Sequence, residues 1–315
     1  MQVSEVTSSN AMEKEGFVRC IKKSEDYRVN INRITTDRHV SISSCMDKEH
    51  RNKKHQYDIW HVSKWVVKQL TKKAKLKGNE DFFPWIQSIS NHLWWSAASC
   101  NGDVELLREK WRSVLHHIVN KHSWKDSKLF HRCSHPKLTL EQMKTAWLKP
   151  GTSGHIALEE VVLNSKLLKD MAKLREFCHT GELEVYHSML LKYCPKREHF
   201  SYPRMLVRTQ LVALDNNANT KREQAKVKSG DHAGTARYKT CYPKGSKHWV
   251  VKNISDKKNY TFRTNLMHDV VCSFTEDLPL QPTLPNLPKN IAKYPAPTKQ
   301  ELLQKHKSRF KNLDP

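Results

Sequence analysis

Apolar and polar residues in the N-terminal part of the chain follow a pattern that predicts helices and strands in turn. The run Val29–Ile34 alternates apolar and polar residues, which is typical of a half-buried strand. Val3–Val6 and Gln56–Trp60 predict two further short strands, and apolar residues at helical spacing follow the second of them directly. Helices are also predicted after Ser8–Asn10, which offers an N-cap, and after His39. Because helices and strands alternate, the sequence predicts an α/β fold with parallel strands.

A long region with a helical pattern follows. From Phe82 to about Leu174 the chain is rich in Trp and His, and apolar residues recur at helical spacing, as at Ile86, Ile89 and Leu93. We interpret this region as a large helical insertion. The predicted organisation is a partial core (1–80), a helical insertion (81–174), returning core helices (175–235), a β-hairpin and helix satellite (236–274) and a Pro-rich basic tail (275–315).

The C-terminal part carries three simpler signals. A helix is predicted to begin near Thr180 and to end before Pro195, which cannot continue it. Residues Tyr238–Ile254 predict a β-hairpin that turns at Pro243–Ser246. The tail is expected to be extended and is a candidate for recruiting a protein partner. Its prolines lie three residues apart, in the polyproline II register, at Pro279, Pro282, Pro285 and Pro288.

The charge balance indicates the class of partner. The 315 residues include 55 Lys and Arg against 32 Asp and Glu, so the net charge is +23 and the isoelectric point about 9.7. Such a balance suits a polyanion, most often a nucleic acid, and DNA is the expected partner. An anionic membrane surface and no polyanion at all are the alternatives.

Two further features indicate the compartment. No apolar run reaches the roughly 18 to 20 residues needed to span a bilayer, and the polar N-terminus does not resemble a signal peptide, so a membrane protein is not expected. Eight cysteines are scattered along the chain without a C-x-x-C pair, which favours a reducing compartment over a disulfide framework. The expected location is the nucleus or the cytoplasm.

Acidic residues lie where a metal site that handles phosphate would need them. Asp37 follows a predicted strand, at the edge where α/β sheets bind ligands. Asp58 and His61 form an Asp-x-x-His motif at the next strand, and Glu184 lies in the first turn of a late helix.

Each of these residues also has a structural interpretation. Asp37 can cap the helix that follows it. Asp58 and His61 can satisfy backbone groups between strand and helix. Glu184 can stabilise the N-terminus of its helix through the helix dipole, and Glu182 is a rival for the metal role.

Taken together, the motifs resemble those of transposon-derived animal proteins with a ribonuclease-H-like transposase fold, of the THAP-associated or Mutator-like type. The resemblance extends from about Val3 to Val251. The segments that carry it are Ile34-Thr35-Thr36-Asp37-Arg38-His39, Asp58-Ile59-Trp60-His61-Val62-Ser63-Lys64, Glu184-Val185-Tyr186-His187-Ser188 and Pro195-Lys196.

The resemblance implies a role for each matching residue. In that fold, acids on the first strand, the fourth strand and the last helix hold the metal ions. Asp37 is then the second acid and Glu184 the third, and Asp58-x-x-His61 is the family's supporting (Cys/Asp)-x-x-His motif. The first acid is expected on a strand ahead of residue 1, since the only earlier aspartate, Asp26, follows a predicted helix.

The resemblance therefore implies a partial ribonuclease-H-like core that lacks its first strands, in a chain truncated at its N-terminus. Phosphodiester cleavage benefits from two Mg²⁺ or Mn²⁺ ions held between carboxylates. With Asp37 and Glu184 alone the Asp-Asp-Glu site is incomplete, and we expect a transposase-derived protein that binds nucleic acid without cleaving it. One alternative is an active nuclease or transposase completed by upstream sequence, and another is a host interaction protein that uses its polyproline tail.

Two side-chain groups in the chain suggest binding chemistry of their own. His117-x4-His122 and Cys133-x-His135 offer four ligands of the types that zinc accepts, against the alternative of scattered surface histidines. A row of lysines falls on one face of the predicted helix after Asp58 and can contact phosphates, or can simply be a solvated face. This lysine row consists of Lys64, Lys68, Lys72 and Lys75.

Overall fold

A computed structural model describes residues 5–243, 248–275, 292 and 297–306. The helices are α1 (Ser9–Asp26), α2 (Val40–Glu49), α3 (Ile59–Ala74), α4 (Ile86–Ala98), α5 (Val104–Arg112), α6 (Val114–His117), α7 (Leu140–Met143), α8 (Ser153–Val162), α9 (Ser165–Asp170), α10 (Gly181–Tyr193), α11 (Tyr202–Asn219), α12 (Thr261–Thr275) and α13 (Lys299–Lys305). The 3₁₀ helices are Glu80–Trp85 and Met171–Lys173, and the strands are β1 (Arg33–Thr36), β2 (Lys54–Tyr57), β3 (Tyr238–Cys241) and β4 (Val250–Asn253).

The fold is mixed α/β and mostly helical, and the chain divides into two compact units. The first comprises Met1–Thr180 with Lys289–Pro315, and the second Gly181–Pro288. None of the described helices is both long enough and apolar enough to cross a bilayer.

Strands β1 and β2 pair in parallel, as the alternation of strands and helices predicts, with Thr36 opposite Tyr57. The second strand ends earlier than predicted, because the Asp58 side chain accepts the backbone N–H of Trp60 and starts α3. Trp60 therefore belongs to the helix and not to the strand. At the N-terminus, Val6 is not in a strand, and Val3 lies outside the described residues.

The first two helices begin where N-caps are available. The Ser8 hydroxyl accepts the N–H of Ala11, and α1 ends before Tyr27. Helix α2 is capped by the His39 imidazole, which accepts the N–H of Ile42, and not by Asp37. Asp37 therefore does not have the capping role proposed as its structural alternative.

The core of the first unit lies around α3. One face of this helix is fully buried, through Val62, Val66 and Leu70, and packs on α4 and α8. Residues of the predicted insertion form the same cluster, including Trp111, whose indole N–H donates to the Val162 carbonyl at 2.9 Å. Residues 81–174 are mostly helical, apart from the long loop between α6 and α7, and they share one continuous core with α3.

The second unit contains the predicted late helix and hairpin. Helix α10 ends at Tyr193, before Pro195, and β3 pairs antiparallel with β4. Its described buried side chains are few: Met189, Cys194, Val212, Asp215 and Ala225. The hairpin turn at 244–247 and the prolines between 279 and 288 lie outside the described residues.

Candidate functional site

The two predicted zinc-ligand pairs meet in the first unit. His117 is the last residue of α6, while His122 and Cys133 face each other across a loop closed by a hydrogen bond from the Cys133 N–H to the His122 carbonyl at 3.0 Å. One ligand atom from each of His117, His122, Cys133 and His135 can be chosen so that all four lie within 4.8 Å of one another. We call these four residues the His/Cys cluster.

The loop between His122 and Cys133 is held by a network of hydrogen bonds and ring contacts. The Glu109 carboxylate accepts the backbone N–H groups of Lys128, Leu129 and Phe130 at 3.0, 2.7 and 2.9 Å. Although burial alone would raise the pKa of Glu109, these donors lower it below its usual value. Trp124 stacks on His116 with ring centroids 4.9 Å apart and donates to the Phe130 carbonyl at 2.6 Å. The loop is therefore fixed on α5 and α6, which carry Glu109 and His116.

The outer nitrogens of two histidines lie within hydrogen-bond distance of oxygen atoms. His122 Nε2 lies 2.9 Å from Asn120 Oδ1, and His135 Nδ1 lies 2.7 Å from the Pro136 carbonyl oxygen. When these nitrogens carry the protons, His122 Nδ1 and His135 Nε2 both present lone pairs, and they lie only 3.2 Å apart. Two facing lone pairs repel unless a proton or a cation lies between them. Outer hydrogen bonds of this kind are typical of histidines that bind metals.

Burial within the cluster works against an additional proton, which would give an imidazole a positive charge, as that bridge. Burial lowers the pKa of His117 to about 4, assisted by repulsion from His122, His135 and His92. The pKa of His122 is also lowered by burial and by His135. Burial raises the pKa of the Cys133 thiol to about 11, and its Sγ lies 3.5 Å from His117 Nδ1. A bound cation would remove the repulsion and favour the thiolate, because metal ligation releases protons from such groups.

Aromatic residues surround the cluster. The Trp147 ring centroid lies 5.6 Å from that of His117 and 5.7 Å from that of His122, and Trp85 packs on Trp147 at 5.3 Å. A cavity of about 360 Å³ opens beside the cluster. It is lined by three of the cluster residues and by the rings of Trp85, Trp95 and Phe130.

The two aspartates of the predicted catalytic motif leave the parallel sheet at the same edge, since they directly follow the paired residues Thr36 and Tyr57. Asp58 is 1% exposed, and both of its carboxylate oxygens are engaged. One accepts the N–H of Trp60 at 2.7 Å, and the other accepts the N–H of Thr180 at 3.1 Å and the Thr180 hydroxyl. Asp58 therefore has the structural role considered for it, and in addition ties a distant loop to the sheet.

The other residues of the motif lie in different settings. Asp37 is exposed and accepts the N–H of His39 at 3.1 Å. His61 packs edge-on against Trp60, with ring centroids 4.9 Å apart. Glu184 lies in the first turn of α10 together with Glu182, and this helix belongs to the second unit. The convergence of Asp37 with Glu184 remains a prediction.

All four residues of the lysine row are exposed: Lys64, Lys68 and Lys72 lie on α3 on the side opposite its buried face, and Lys75 directly follows the helix. Within the described part of the chain, none of them forms an ion pair with an acidic side chain. The Lys64 ammonium lies 3.3 Å from the centroid of the Trp60 ring, and Trp60 is 42% exposed. The sequence pattern placed Trp60 at the end of a strand and so missed this arrangement.

A second group of potential metal ligands was also missed. Cys45, Glu49 and His50 at the end of α2 have ligand atoms within 4.8 Å of one another. Burial raises the pKa of the Cys45 thiol, and the nearby Glu49 carboxylate raises it further. The spacing Cys-x3-Glu-His was the available signal, because residues four apart share one face of a helix.

Comparison of the chain with protein-family models, with curated proteins and with solved structures finds no match.

Proposed function

We propose that the first unit binds one zinc ion at the His/Cys cluster, in a nucleic-acid-binding protein derived from a ribonuclease-H-like transposase. The observation that carries the zinc site is the convergence of two separate ligand pairs, whose four ligand atoms lie within 4.8 Å. Chance placement of surface histidines does not account for a half-buried group with hydrogen-bonded outer nitrogens.

The ligand types favour zinc over the hard cations. Three imidazoles and a thiol match the nitrogen and sulfur ligands of structural zinc sites, whereas Mg²⁺ and Ca²⁺ prefer oxygen ligands. Four protein ligands complete a tetrahedral zinc site, so the ion would act in folding more than in catalysis. It would fix the loop between His122 and Cys133 to the end of α6.

Elemental analysis of the protein, purified without chelators, tests the site. We expect about one zinc per chain, and we expect Cys133→Ser to lose it. Cys241→Ser is the matched control, because Cys241 is also a half-buried free cysteine but lies on β3 of the second unit. Protein without zinc that also fails to bind added Co²⁺ through a thiolate would contradict the proposal.

The nucleic-acid role rests on charge. The lysine row adds an exposed cationic face to a chain of net charge +23, and phosphate contacts by such residues give binding that weakens as salt rises. DNA is the proposed partner, in the nucleus or the cytoplasm. Affinity for duplex DNA that is measurable at about 50 mM salt and falls steeply with added salt is expected. No binding at that salt concentration would count against this role.

The transposase ancestry assigns Asp37 and Glu184 to an incomplete Asp-Asp-Glu site, which would bind Mg²⁺ or Mn²⁺ only if completed. We propose that this chain by itself does not cleave DNA. An active nuclease is the second candidate, and one observation favours it: Asp37 and Asp58 leave the parallel sheet at one edge, where α/β folds bind ligands. The third, a partner bound by the polyproline tail, concerns residues outside those described.

A further inference from the structure

A tryptophan and three lysines follow one another along the exposed surface of α3. What this surface would bind rests on the proposed nucleic-acid function. Trp60, Lys64, Lys68 and Lys72 follow one another at intervals of four residues. Residues four apart are neighbours on the surface of a helix, and each is turned by about 40° from the one before it, so the tryptophan and the three lysines form an oblique row that turns by about 120° around α3. With a rise of 1.5 Å per residue, neighbouring members are about 6 Å apart along the helix axis and the row spans about 18 Å of it.

Trp60 lies on the outside although α3 has a well-formed apolar face. The apolar residues Ile59, Val62 and Val66 of the same helix are fully buried, whereas Trp60 is 42% exposed. Its ring does not contribute to the core cluster of the first unit. Among the described residues only one other tryptophan, Trp249 in the second unit, is exposed to this degree.

The position of Lys64 connects the ring to the charged row. The Lys64 ammonium lies 3.3 Å from the Trp60 ring centroid, where the ring face attracts a cation. A phosphate would compete for this ammonium, and the lysine would then leave the ring face open to a base. Stacking of a base on an aromatic ring is a stronger contact than an exposed cation–π pair, so the exchange favours the nucleic acid.

We infer that Trp60 and the lysine row bind single-stranded nucleic acid, with an unpaired base stacked on Trp60 and the phosphates that follow it along Lys64, Lys68 and Lys72. An aromatic platform beside a line of cations is the arrangement that binds single strands without sequence preference. Duplex DNA can pair its phosphates with the lysines, but its bases are stacked within the helix and do not reach the ring. The surface therefore prefers single strands over duplexes.

Fluorescence anisotropy of the whole 315-residue chain, purified without chelators, tests this preference. The probes are a labelled oligothymidylate of about 15 nucleotides and a duplex of the same length, at about 50 mM salt. We expect Trp60→Ala to weaken binding of the single strand by about 10-fold and to leave duplex binding within about 2-fold. Trp60→Phe should retain most of the affinity, and Trp249→Ala is the matched control, with no effect expected.

Other outcomes separate this inference from the proposed function. Equal weakening of both probes by Trp60→Ala, or no weakening of either, overturns the stacking role while leaving nucleic-acid binding intact. Failure of the unmodified protein to bind either probe overturns the proposed function and this inference together. Because an exposed residue can still affect folding, quenching of tryptophan fluorescence by oligothymidylate is measured as well. The quenching should be smaller in Trp60→Phe than in Trp249→Phe, and equal quenching in the two overturns the inference.

Discussion

Two regions of the first unit carry groups that suggest metal chemistry, and they are built differently. In the His/Cys cluster the ligand atoms point at one another, and the outer nitrogens of His122 and His135 have acceptors of their own. At the edge of the parallel sheet, Asp58 is buried with both oxygens occupied by Trp60 and Thr180. Asp37 beside it is exposed and accepts one backbone N–H.

The difference shows how surroundings decide what a side chain can do. In the cluster, His122 Nδ1 and His135 Nε2 have each other as partners at 3.2 Å, and a bound cation would engage both. The carboxylate of Asp58 is already satisfied by neutral donors and gains little from a metal. The first region is therefore expected to depend on an ion, and the second to be held by hydrogen bonds.

The largest expected effect is that of removing the ion. Chelation of the purified protein, or Cys133→Ser, should lower the melting temperature of the first unit by about 10 °C, because structural zinc contributes directly to folding and each kcal/mol is worth about 2–4 °C in a unit of this size. Thermal unfolding with and without chelator measures it. A melting curve that does not change with chelator would show that the His/Cys cluster does not depend on an ion.

The next effect concerns Asp58. Replacing it by Ala removes the N-cap of α3 and leaves the partly buried Thr180 N–H and hydroxyl without their acceptor, and these losses together should cost about 3 kcal/mol. Asp37→Ala is the control at the same sheet edge and should change stability by less than about 0.5 kcal/mol. Urea unfolding at neutral pH compares them. Equal losses of unfolding free energy in the two variants would show that the buried and the exposed carboxylate contribute alike to stability.

An effect of similar size is expected when the pH is lowered. Burial lowers the pKa of His92 to about 4, although hydrogen bonds with backbone groups of Lys110 and Trp111 act in the opposite direction. The unfolded chain binds this proton near pH 6.5 and the folded chain only near pH 4, so stability should be complete above pH 6.5 and fall between pH 6.5 and 4. His92→Gln should make the melting temperature less dependent on pH across that window. An unchanged slope in the variant would argue against a buried neutral His92.

Single lysines should have modest effects on binding. Replacing Lys68 or Lys72 by Gln should weaken DNA binding a few-fold and reduce the salt slope by about one for each phosphate that the side chain no longer neutralises. Lys73→Gln is a matched control on the same helix, because Lys73 pairs with Glu160. Binding titrations at several salt concentrations measure both quantities. The same weakening in the control would mean that net charge alone, and not the row, accounts for binding.

No effect is expected from adding Mg²⁺ or Mn²⁺ to the chain with DNA, since two carboxylates of the Asp-Asp-Glu set do not clamp two ions. Nicking of a supercoiled plasmid is the measurement. Metal-dependent nicking that is abolished by both Asp37→Ala and Glu184→Ala would make the active nuclease the favoured function.

Local patterns predicted many individual elements. The serine cap of α1, the stop before Pro195 and the apolar period of α3 all depend on residues close in sequence, and the structure confirms them. The start of α3 was missed by two residues, because the capping role of Asp58 competes with continuation of the strand. The four residues of the His/Cys cluster were identified as potential metal ligands from residue types alone, although their spacing matches no familiar zinc finger.

The sequence by itself determined which residue types can ligate a metal, where α1 begins and α10 ends, and how much positive charge the chain carries, because these depend on side-chain chemistry and local backbone preference. Only the tertiary structure decided that His117 faces Cys133, that Asp58 holds Thr180 and that Trp60 lies outside with the lysines. Such pairs are separated along the chain or depend on which face of a helix is buried. The packing of α3 against α4 and α8 decides which face of this helix is buried and which is exposed.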